Sequence, residues 1–182
     1  MTSFPTLHTA RLDLIELTHE HSAELFTLMT DPRVTEYYNV MPMTQKEDLI
    51  TVIDWFSRRF KDRLGLRWGI RLKDTGAMIG TIGYNTFTNG HKGVLVYALA
   101  YEHWNKGLMT EALQAAVRFG FDVLDLNRIE AEVMPGNTAS ERILAKSGFH
   151  HEGLLKQWML WNGKFFDINM FALLREEYRR SV

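Results

Sequence analysis

Apolar and polar residues follow two different spacings along the chain, and the clearest change of spacing lies near its middle. Val94–Tyr101 is a continuous apolar run of strand length, which is typical of a buried strand. Thr110–Leu124 instead carries apolar residues three or four positions apart, as an amphipathic helix does. Gly107 lies between the two segments. We therefore predict a strand, a glycine-containing loop and a helix in this order.

The same spacings, together with turn and capping residues, predict the other elements. Further strands are predicted at Arg11–Leu17, Leu66–Leu72, Met78–Phe87, Arg128–Met134, Leu154–Trp161 and Phe165–Leu174. Further helices are predicted from the Thr18 cap through His19–Met29, from the capping box Thr44–Glu47 to Lys61, and up to Gly148. The order β-α-α-β-β-β-α-β-α-β-β implies an α/β fold with a mixed sheet of about seven strands and about four flanking helices. No repeat or linker interrupts this order, so residues 1–182 are expected to form one domain.

Composition and charge narrow the classes of function. The formal net charge of −1 gives no reason to expect nucleic acid, which needs a concentrated basic surface. The absence of Cys excludes disulfides, iron–sulfur clusters and thiol nucleophiles, and it fits a reducing compartment. No apolar run approaches the roughly 20 residues of a membrane-spanning helix, and the first residues lack the features of a signal peptide. We therefore expect a cytoplasmic protein that does not bind membranes.

The segment Glu102–Ala112 joins the central predicted strand to its helix and has the features of a phosphate-binding loop. Gly107 allows a tight turn and the close approach of a ligand to the backbone. The first turn of a helix presents unpaired N–H groups and the positive end of the helix dipole, both of which favour an anion. Such a unit also occurs as an ordinary turn in many α/β proteins, so it needs support from a second segment.

That support comes from Asn137–Phe149, which follows the strand-like Arg128–Met134. Together with Glu102–Ala112, these residues resemble the GNAT acetyltransferase superfamily. Asn162–Ala172 further resembles its RimJ/RimL-like branch, which contains acetyltransferases of ribosomal-protein N-termini and relatives with other amine substrates. The resemblance implies the GNAT fold, with acetyl-CoA (coenzyme A) as the cofactor.

The resemblance also implies which residues bind the cofactor. The pyrophosphate is expected to contact the loop backbone at Trp104, Asn105, Lys106, Gly107, Leu108, Met109 and Thr110, and two further contacts are Asn137 and Ser140. The central strand of these proteins separates from its neighbour and frees backbone groups for the pantetheine arm, here at Leu99, Ala100 and Tyr101. An N–H group near Leu99 is expected to polarise the thioester carbonyl. Trp104, Asn105 and Met109 depart from the family pattern, and Met109 would crowd the turn unless its side chain points away.

Three residues are candidates for catalysis. By resemblance, Ser140 protonates the leaving thiolate, although a Ser in a first helical turn is often a local cap. By resemblance to relatives that acetylate protein N-termini, Glu132, five residues before Asn137, is the candidate general base. It shares a strand face with Glu130, and the alternative for either Glu is simple exposure to solvent. RimL-like enzymes carry a Glu on the penultimate strand where this chain has Met159, which removes the more obvious base. Tyr97, acting through a water chain, is the alternative to Glu132.

Six aromatic residues are candidates for lining the amine pocket: Tyr37, Tyr38, Trp55, Phe56, Trp68 and Trp158. The competing interpretation is that these residues belong to the core. The His residues are scattered without a matching ligand set, so we expect no metal site.

The preferred hypothesis is an N-acetyltransferase that transfers acetyl from acetyl-CoA directly to a primary amine, on a small molecule or a protein N-terminus. The alternative is a catalytically silent acetyl-CoA-binding regulatory module. The sequence does not identify the amine, and it does not decide whether the protein forms a homodimer.

Overall fold

A single mixed sheet organises the part of the chain that the computed structural model describes, which is residues 3–38, 43, 45 and 47–181. Within these residues eight strands follow the order β1-β2-β3-β4-β5-β6-β8-β7. β5 and β6 are parallel, and the other neighbouring pairs are antiparallel. The strands are β1 Leu7–His8, β2 Leu12–Glu16, β3 Leu66–Leu72, β4 Met78–Thr88, β5 Lys92–Leu99, β6 Arg128–Val133, β7 His150–Trp161 and β8 Lys164–Leu174.

Helices cover both faces of the sheet, as the alternation of apolar segments requires. In the described ranges they are α1 Ser22–Thr30, α2 Pro32–Thr35, α3 Asp48–Lys61, α4 Leu108–Asp122, α5 Thr138–Lys146 and α6 Arg175–Ser181. Leu25 of α1 and Ile53 of α3 belong to one buried cluster. Leu113 of α4 and Leu144 of α5 belong to a second cluster on the opposite face. None of the helices in these ranges is long and apolar enough to cross a membrane.

Helix α4 lies unusually close to the sheet at one point, and this contact fixes its position. A Cβ atom added to Gly120 would lie 2.1 Å from the hydroxyl oxygen of Tyr84. That hydroxyl donates a hydrogen bond of 2.9 Å to the carbonyl oxygen of Ala116, one turn earlier in α4. A side chain at position 120 would collide with the phenol ring of Tyr84, so glycine allows this close approach of α4 to the sheet.

The sheet opens between its two parallel strands. β5 pairs with β6 only from Lys92–Leu95 against residues 128–131. The rest of β5, up to Leu99, pairs with β4 alone, whereas Glu132 and Val133 pair with β8 alone. The two strands therefore separate towards their C-terminal ends, which is where open α/β sheets bind ligands.

The structure confirms the predicted fold class and adds three short elements, β1, α2 and α6. Each of them is too short to show a hydrophobic period. The first predicted helix begins as a 3-10 turn, His19–His21, which Thr18 caps together with His21 in a capping box. Thr44 and Lys46 of the other predicted capping box lie outside the described residues, and α3 begins at Asp48.

Candidate active site

The loop between β5 and α4 has the backbone conformation that an anion site requires. The chain leaves β5 through a short 3-10 turn, Tyr101–His103, so Tyr101 lies beyond the strand rather than at its end. Asn105 and Gly107 then have positive φ values of 58° and 73°, and α4 begins immediately afterwards at Leu108. The first N–H groups of α4 lack partners within the helix and face the loop, together with the positive end of the helix dipole.

Ionic and polar contacts hold this loop to the start of the sheet. Arg11 donates from Nη1 to the carbonyl oxygen of Lys106 at 3.0 Å and from Nε to Glu111 Oε2 at 2.7 Å. Thr9 donates to Glu111 Oε1 at 2.6 Å. Burial by itself would raise the pKa of Glu111, but the hydrogen bonds from Thr9 and Arg11 outweigh it and keep that pKa below its usual value. Glu111 is therefore a charged anchor in the first turn of α4.

The hydrophobic residues of the loop point away from the anion site. Leu108 and Met109 are only 5% and 4% exposed and belong to the core. The Met109 side chain therefore points away from the turn and does not crowd it. The indole of Trp104 donates to the carbonyl oxygen of Leu99 at 2.7 Å, and its ring lies 5.1 Å from that of Tyr101. Trp104 thus ties the loop to the end of β5.

The backbone at the end of β5 corrects one part of the prediction. Ala100 was expected to offer free backbone groups, but its N–H donates to Ile79 at 2.8 Å and its carbonyl accepts from His103 at 2.9 Å. Successive residues of a strand direct their N–H groups to opposite sides. The N–H of Leu99 is therefore directed towards the gap between β5 and β6.

A cavity of about 600 Å³ lies beside this gap. Its wall combines β5 and β6 with α1, α3, the segment after α2 and the start of α5. The lining residues include Met29, Tyr37, Tyr38, Trp55, Phe56, Arg67, Val96, Tyr97, Glu132, Asn137, Ser140 and Met159. Most of the candidate catalytic and substrate residues thus share one cavity. Met159, where the resemblance to RimL-like enzymes would place a Glu, also lies in its wall.

Tyr97 and Ser140 form a pair in this wall. Their hydroxyl oxygens are 2.7 Å apart, so the Ser140 hydroxyl is not used as a helix cap. Asn137 caps α5 instead, because its Oδ1 accepts the Ser140 N–H at 3.2 Å. Burial raises the pKa of Tyr97 to about 12, although its hydrogen bond with Ser140 lowers it. Tyr97 therefore stays protonated at neutral pH, and either hydroxyl of the pair can donate to the other.

The structure separates the two Glu residues of β6. Glu132 is exposed to the cavity and accepts a hydrogen bond of 3.0 Å from the indole of Trp158. Glu130 is buried and binds Lys92 at 2.9 Å and Arg128 at 2.7 Å. Burial would raise the pKa of Glu130, but the hydrogen bonds from Lys92 and Arg128 lower it below its usual value. Glu130 is thus an ion-paired residue, and of the two only Glu132 faces the cavity.

Two predicted substrate residues, Trp68 and Trp158, are not among the residues that line the cavity. Trp68 does not line the cavity: it is fully buried, donates to the carbonyl oxygen of Pro5 at 2.7 Å and packs edge-on against Phe119. The prediction for Trp68 is corrected, because the alternation of β3 turns its side chain to the α4 face of the sheet. Trp158 is 56% exposed and reaches the site through Glu132.

Arg67 was not among the residues predicted from the sequence. It neighbours Trp68 and lines the cavity from the other face of β3. Its side chain is 5% exposed and donates from Nη1 to the Tyr38 hydroxyl at 3.0 Å. A charged residue within the otherwise apolar stretch Leu66–Ile70 is the signal that could have identified it. The described residues contain no group of His, Asp and Glu side chains suited to a metal ion.

Comparisons with known proteins agree with this geometry. Residues 11–150 match the acetyltransferase (GNAT) domain model. The chain is 36% identical to the uncharacterized N-acetyltransferase YoaA of Bacillus subtilis, over 94% of this chain and 98% of YoaA. It is 39% identical to the uncharacterized N-acetyltransferase p20 of Bacillus licheniformis, over 95% and 98% of the two chains.

Among solved structures, the fold is similar to that of RimL, a ribosomal L7/L12 α-N-protein acetyltransferase in complex with coenzyme A. The TM-score is 0.84 at 19% identity, over 93% of this chain and 98% of the RimL chain. The match to the domain model and the identity to YoaA extend over most of the sequence and confirm the resemblance noted from its motifs. This chain belongs to the GNAT acetyltransferase family.

Proposed function

We propose that this protein transfers the acetyl group of acetyl-CoA directly to a primary amine, on a small molecule or a protein N-terminus. One observation carries the proposal: β5 and β6 separate after Leu95 and Ala131. β5 runs along this gap to the loop before α4, and the cavity beside the gap contains a carboxylate, Glu132. A donor and an acceptor could thus approach each other from opposite sides of the sheet.

The residues present fit the cofactor. The N–H groups at the start of α4 and the left-handed backbone at Asn105 and Gly107 suit a pyrophosphate. Met109 and Leu108 leave that side of the loop clear because both are buried in the core. Acetyl-CoA supplies the thioester that is attacked. RimL, a structural neighbour, was solved with coenzyme A.

The chain's own groups divide the chemistry. The N–H of Leu99, directed into the gap, would donate to the carbonyl oxygen as negative charge develops there. Glu132 would accept the proton of the amine, directly or through water, which typically contributes about 10²–10⁴-fold. Ser140 would donate a hydrogen bond to the departing sulfur while the Tyr97 hydroxyl fixes its orientation. No covalent acetyl-cysteine can form, since the chain has no Cys.

Thiol release tests the proposal directly. Purified protein is mixed with acetyl-CoA and a panel of amines, and free coenzyme A is measured with a thiol reagent. The protein contributes no background because it lacks Cys. Turnover with at least one amine is the expected result. Stabilisation by acetyl-CoA without turnover on any amine would instead identify the silent binding module, and the absence of stabilisation would remove the cofactor assignment.

A further inference from the structure

Arg67 is a buried cation with no acidic partner among the described residues. Its guanidinium donates to the neutral hydroxyl of Tyr38 and lies 5.1 Å from the ring of Phe56. Its Nε atom is buried and has no hydrogen-bond partner among those residues. Positions 39–42, 44 and 46, which the structure does not describe, carry no Asp or Glu in the sequence. A buried charge is normally paired, because removing it from water is costly.

A trapped water does not resolve this imbalance. Beside Arg67 and Arg59 lies a small cavity of about 10 Å³, which is about the space that one water needs. A water there could accept a hydrogen bond from Nε. It would leave the positive charge of Arg67 uncompensated, so the ionic partner has to come from the larger cavity that Arg67 also lines.

The position of Arg67 relates it to Glu132 across the sheet. Arg67 lies opposite Gly83, and Gly83 lies opposite Val96. Leu95 pairs with Ala131, so Val96 and Glu132, one residue further along, project from the same face as Arg67. Gly83 has no side chain to separate Arg67 from the gap. The described lining of the cavity therefore carries one cation and one carboxylate, on the same face of the sheet.

The spacing matches a small bifunctional molecule. Arg67 on β3 and Val96 on β5, which borders the gap, are two strands apart in one cross-strand row, which corresponds to about 9–10 Å between backbones. An amine placed at the gap beside Glu132 would thus have its neighbouring groups within reach of the guanidinium.

We propose that the acceptor amine carries a carboxylate, and that Arg67 binds this carboxylate while Glu132 faces the amino group. This inference rests on the proposed acetyltransferase function and specifies its substrate class. A guanidinium binds a carboxylate through paired N–H groups. A single cation balances the single charge of a carboxylate, whereas a phosphate dianion would require a second cation in the described wall. Tyr38 and Phe56 hold the guanidinium in place before the ligand arrives, which lowers the ordering cost of binding.

Matched amines test the inference. Each pair differs only in the anionic group: a free amino acid against its carboxamide, and a dipeptide amide with Glu in second position against the same peptide with Gln. Wild-type kcat/KM should favour the carboxylate member of at least one pair by about tenfold or more, the factor expected from roughly 1.4 kcal/mol. The pair that shows the preference separates a small-molecule acceptor from a peptide acceptor.

Variants identify the residue responsible. Arg67→Met should abolish the preference while its Tm stays equal to or above that of the wild type, because an unpaired buried charge is replaced by an apolar side chain. Arg67→Lys should retain part of the preference. Arg71→Met is the control: Arg71 lies on the same strand but binds Asp13 outside the cavity, so the preference should persist. Its Tm should fall slightly.

The outcomes separate this inference from the proposed function. Equal turnover of both members in every pair, or a preference that survives Arg67→Met, overturns the role of Arg67 and leaves the acetyltransferase function intact. If no amine is turned over, calorimetry on the coenzyme A-loaded protein compares N-acetyl amino acids with their amides. Tighter binding of the carboxylates would support the Arg67 site although the proposed reaction fails, and equal binding would overturn the site as well.

Discussion

The two halves of the site differ in what would contact a ligand. On the cofactor side, the proposed contacts come mainly from peptide N–H groups at the start of α4 and from Leu99, with Asn137 as a side-chain contact. Arg11 and Glu111 hold the loop in place. On the acceptor side, the contacts come from side chains, with Arg67 and Glu132 as the charged groups. The first half therefore depends on backbone conformation, and the second depends on residue identity. Substitutions should act through strain in one half and through lost chemistry in the other.

The largest expected effect is on the acceptor side, at Glu132. Glu132→Gln keeps the shape of the side chain and its ability to accept from Trp158 but removes the base. We expect kcat to fall by about 10²-fold or more at neutral pH. Activity should recover at high pH, where the solvent supplies free amine. A pH–rate profile from pH 6 to 9 that matches the wild type would exclude Glu132 as the base.

Glu130→Gln is the informative companion to this variant, although it is not a silent one. Glu130 is buried between Lys92 and Arg128, so its neutralisation should lower Tm by leaving both cations poorly paired. Its kcat should remain close to that of the wild type. A fall in kcat for Glu132→Gln and a fall in Tm for Glu130→Gln would together show that the two carboxylates of β6 have separate roles.

Gly107→Val tests the cofactor side through the backbone. Gly107 has a φ of 73°, which a β-branched residue adopts only with strain, and the added side chain would obstruct the anion site. Acetyl-CoA binding should weaken by about tenfold or more, which corresponds to roughly 1.4 kcal/mol, as measured by the thermal shift with acetyl-CoA.

A matched control for Gly107 is Gly76→Val. Gly76 has a φ of 74° in the turn between β3 and β4, with open space around it. The strain should be similar, so Tm should fall while the shift with acetyl-CoA is retained. A full shift in folded Gly107→Val would contradict a backbone-made anion site.

Asn137→Ala should have a smaller effect because Asn137 has two functions. Its Oδ1 caps α5, and loss of a cap costs about 1 kcal/mol of stability. One lost hydrogen bond to the cofactor should weaken binding by roughly 0.5–1.5 kcal/mol, while KM for the amine changes little. Asn137→Ser should restore the cap, and with it Tm, without restoring the cofactor contact. A larger effect on the amine than on acetyl-CoA would place Asn137 on the acceptor side.

The smallest effect concerns Tyr97, and it appears only at alkaline pH. In the folded protein burial raises its pKa to about 12, from 10.0 for an ordinary Tyr. Between these values the unfolded chain releases a proton that the folded protein retains, so stability falls as pH rises. This contribution is complete below pH 10 and is lost as pH rises through 12. Tyr97→Phe lacks this titration, so its Tm should decline less steeply between pH 10 and 12. Identical slopes would contradict the burial of the phenol in solution.

The cofactor side could be predicted from the sequence because it is local. A strand, Gly107 and a helix lie next to one another in the chain, and backbone geometry follows from that order. Ala100 shows the limit: its position at the strand end was predicted, but the hydrogen bonds that use its N–H and carbonyl depend on Ile79 and His103. Such partners are set by the pairing register and by the turn, neither of which a hydrophobic pattern specifies.

The acceptor side was less predictable because β3 is buried on both faces. Alternation shows that Arg67 and Trp68 point in opposite directions, but it does not say which face carries the cavity. Aromatic content therefore favoured Trp68, which packs against α4, and overlooked Arg67. Which face of β3 lines the cavity depends on how α1 and α3 pack on the sheet, and that packing is a property of the tertiary structure.

The short contact between β5 and β6 also has a mechanical consequence. These strands share four residue pairs. The sheet therefore has two parts, β1 to β5 and β6 to β8, which are joined by this short parallel pairing. A molecule bound in the gap would contact both parts of the sheet and would hold them together. We expect the two parts of the sheet to be held together most firmly while both reactants are bound, because a ligand that contacts both parts stabilises their arrangement.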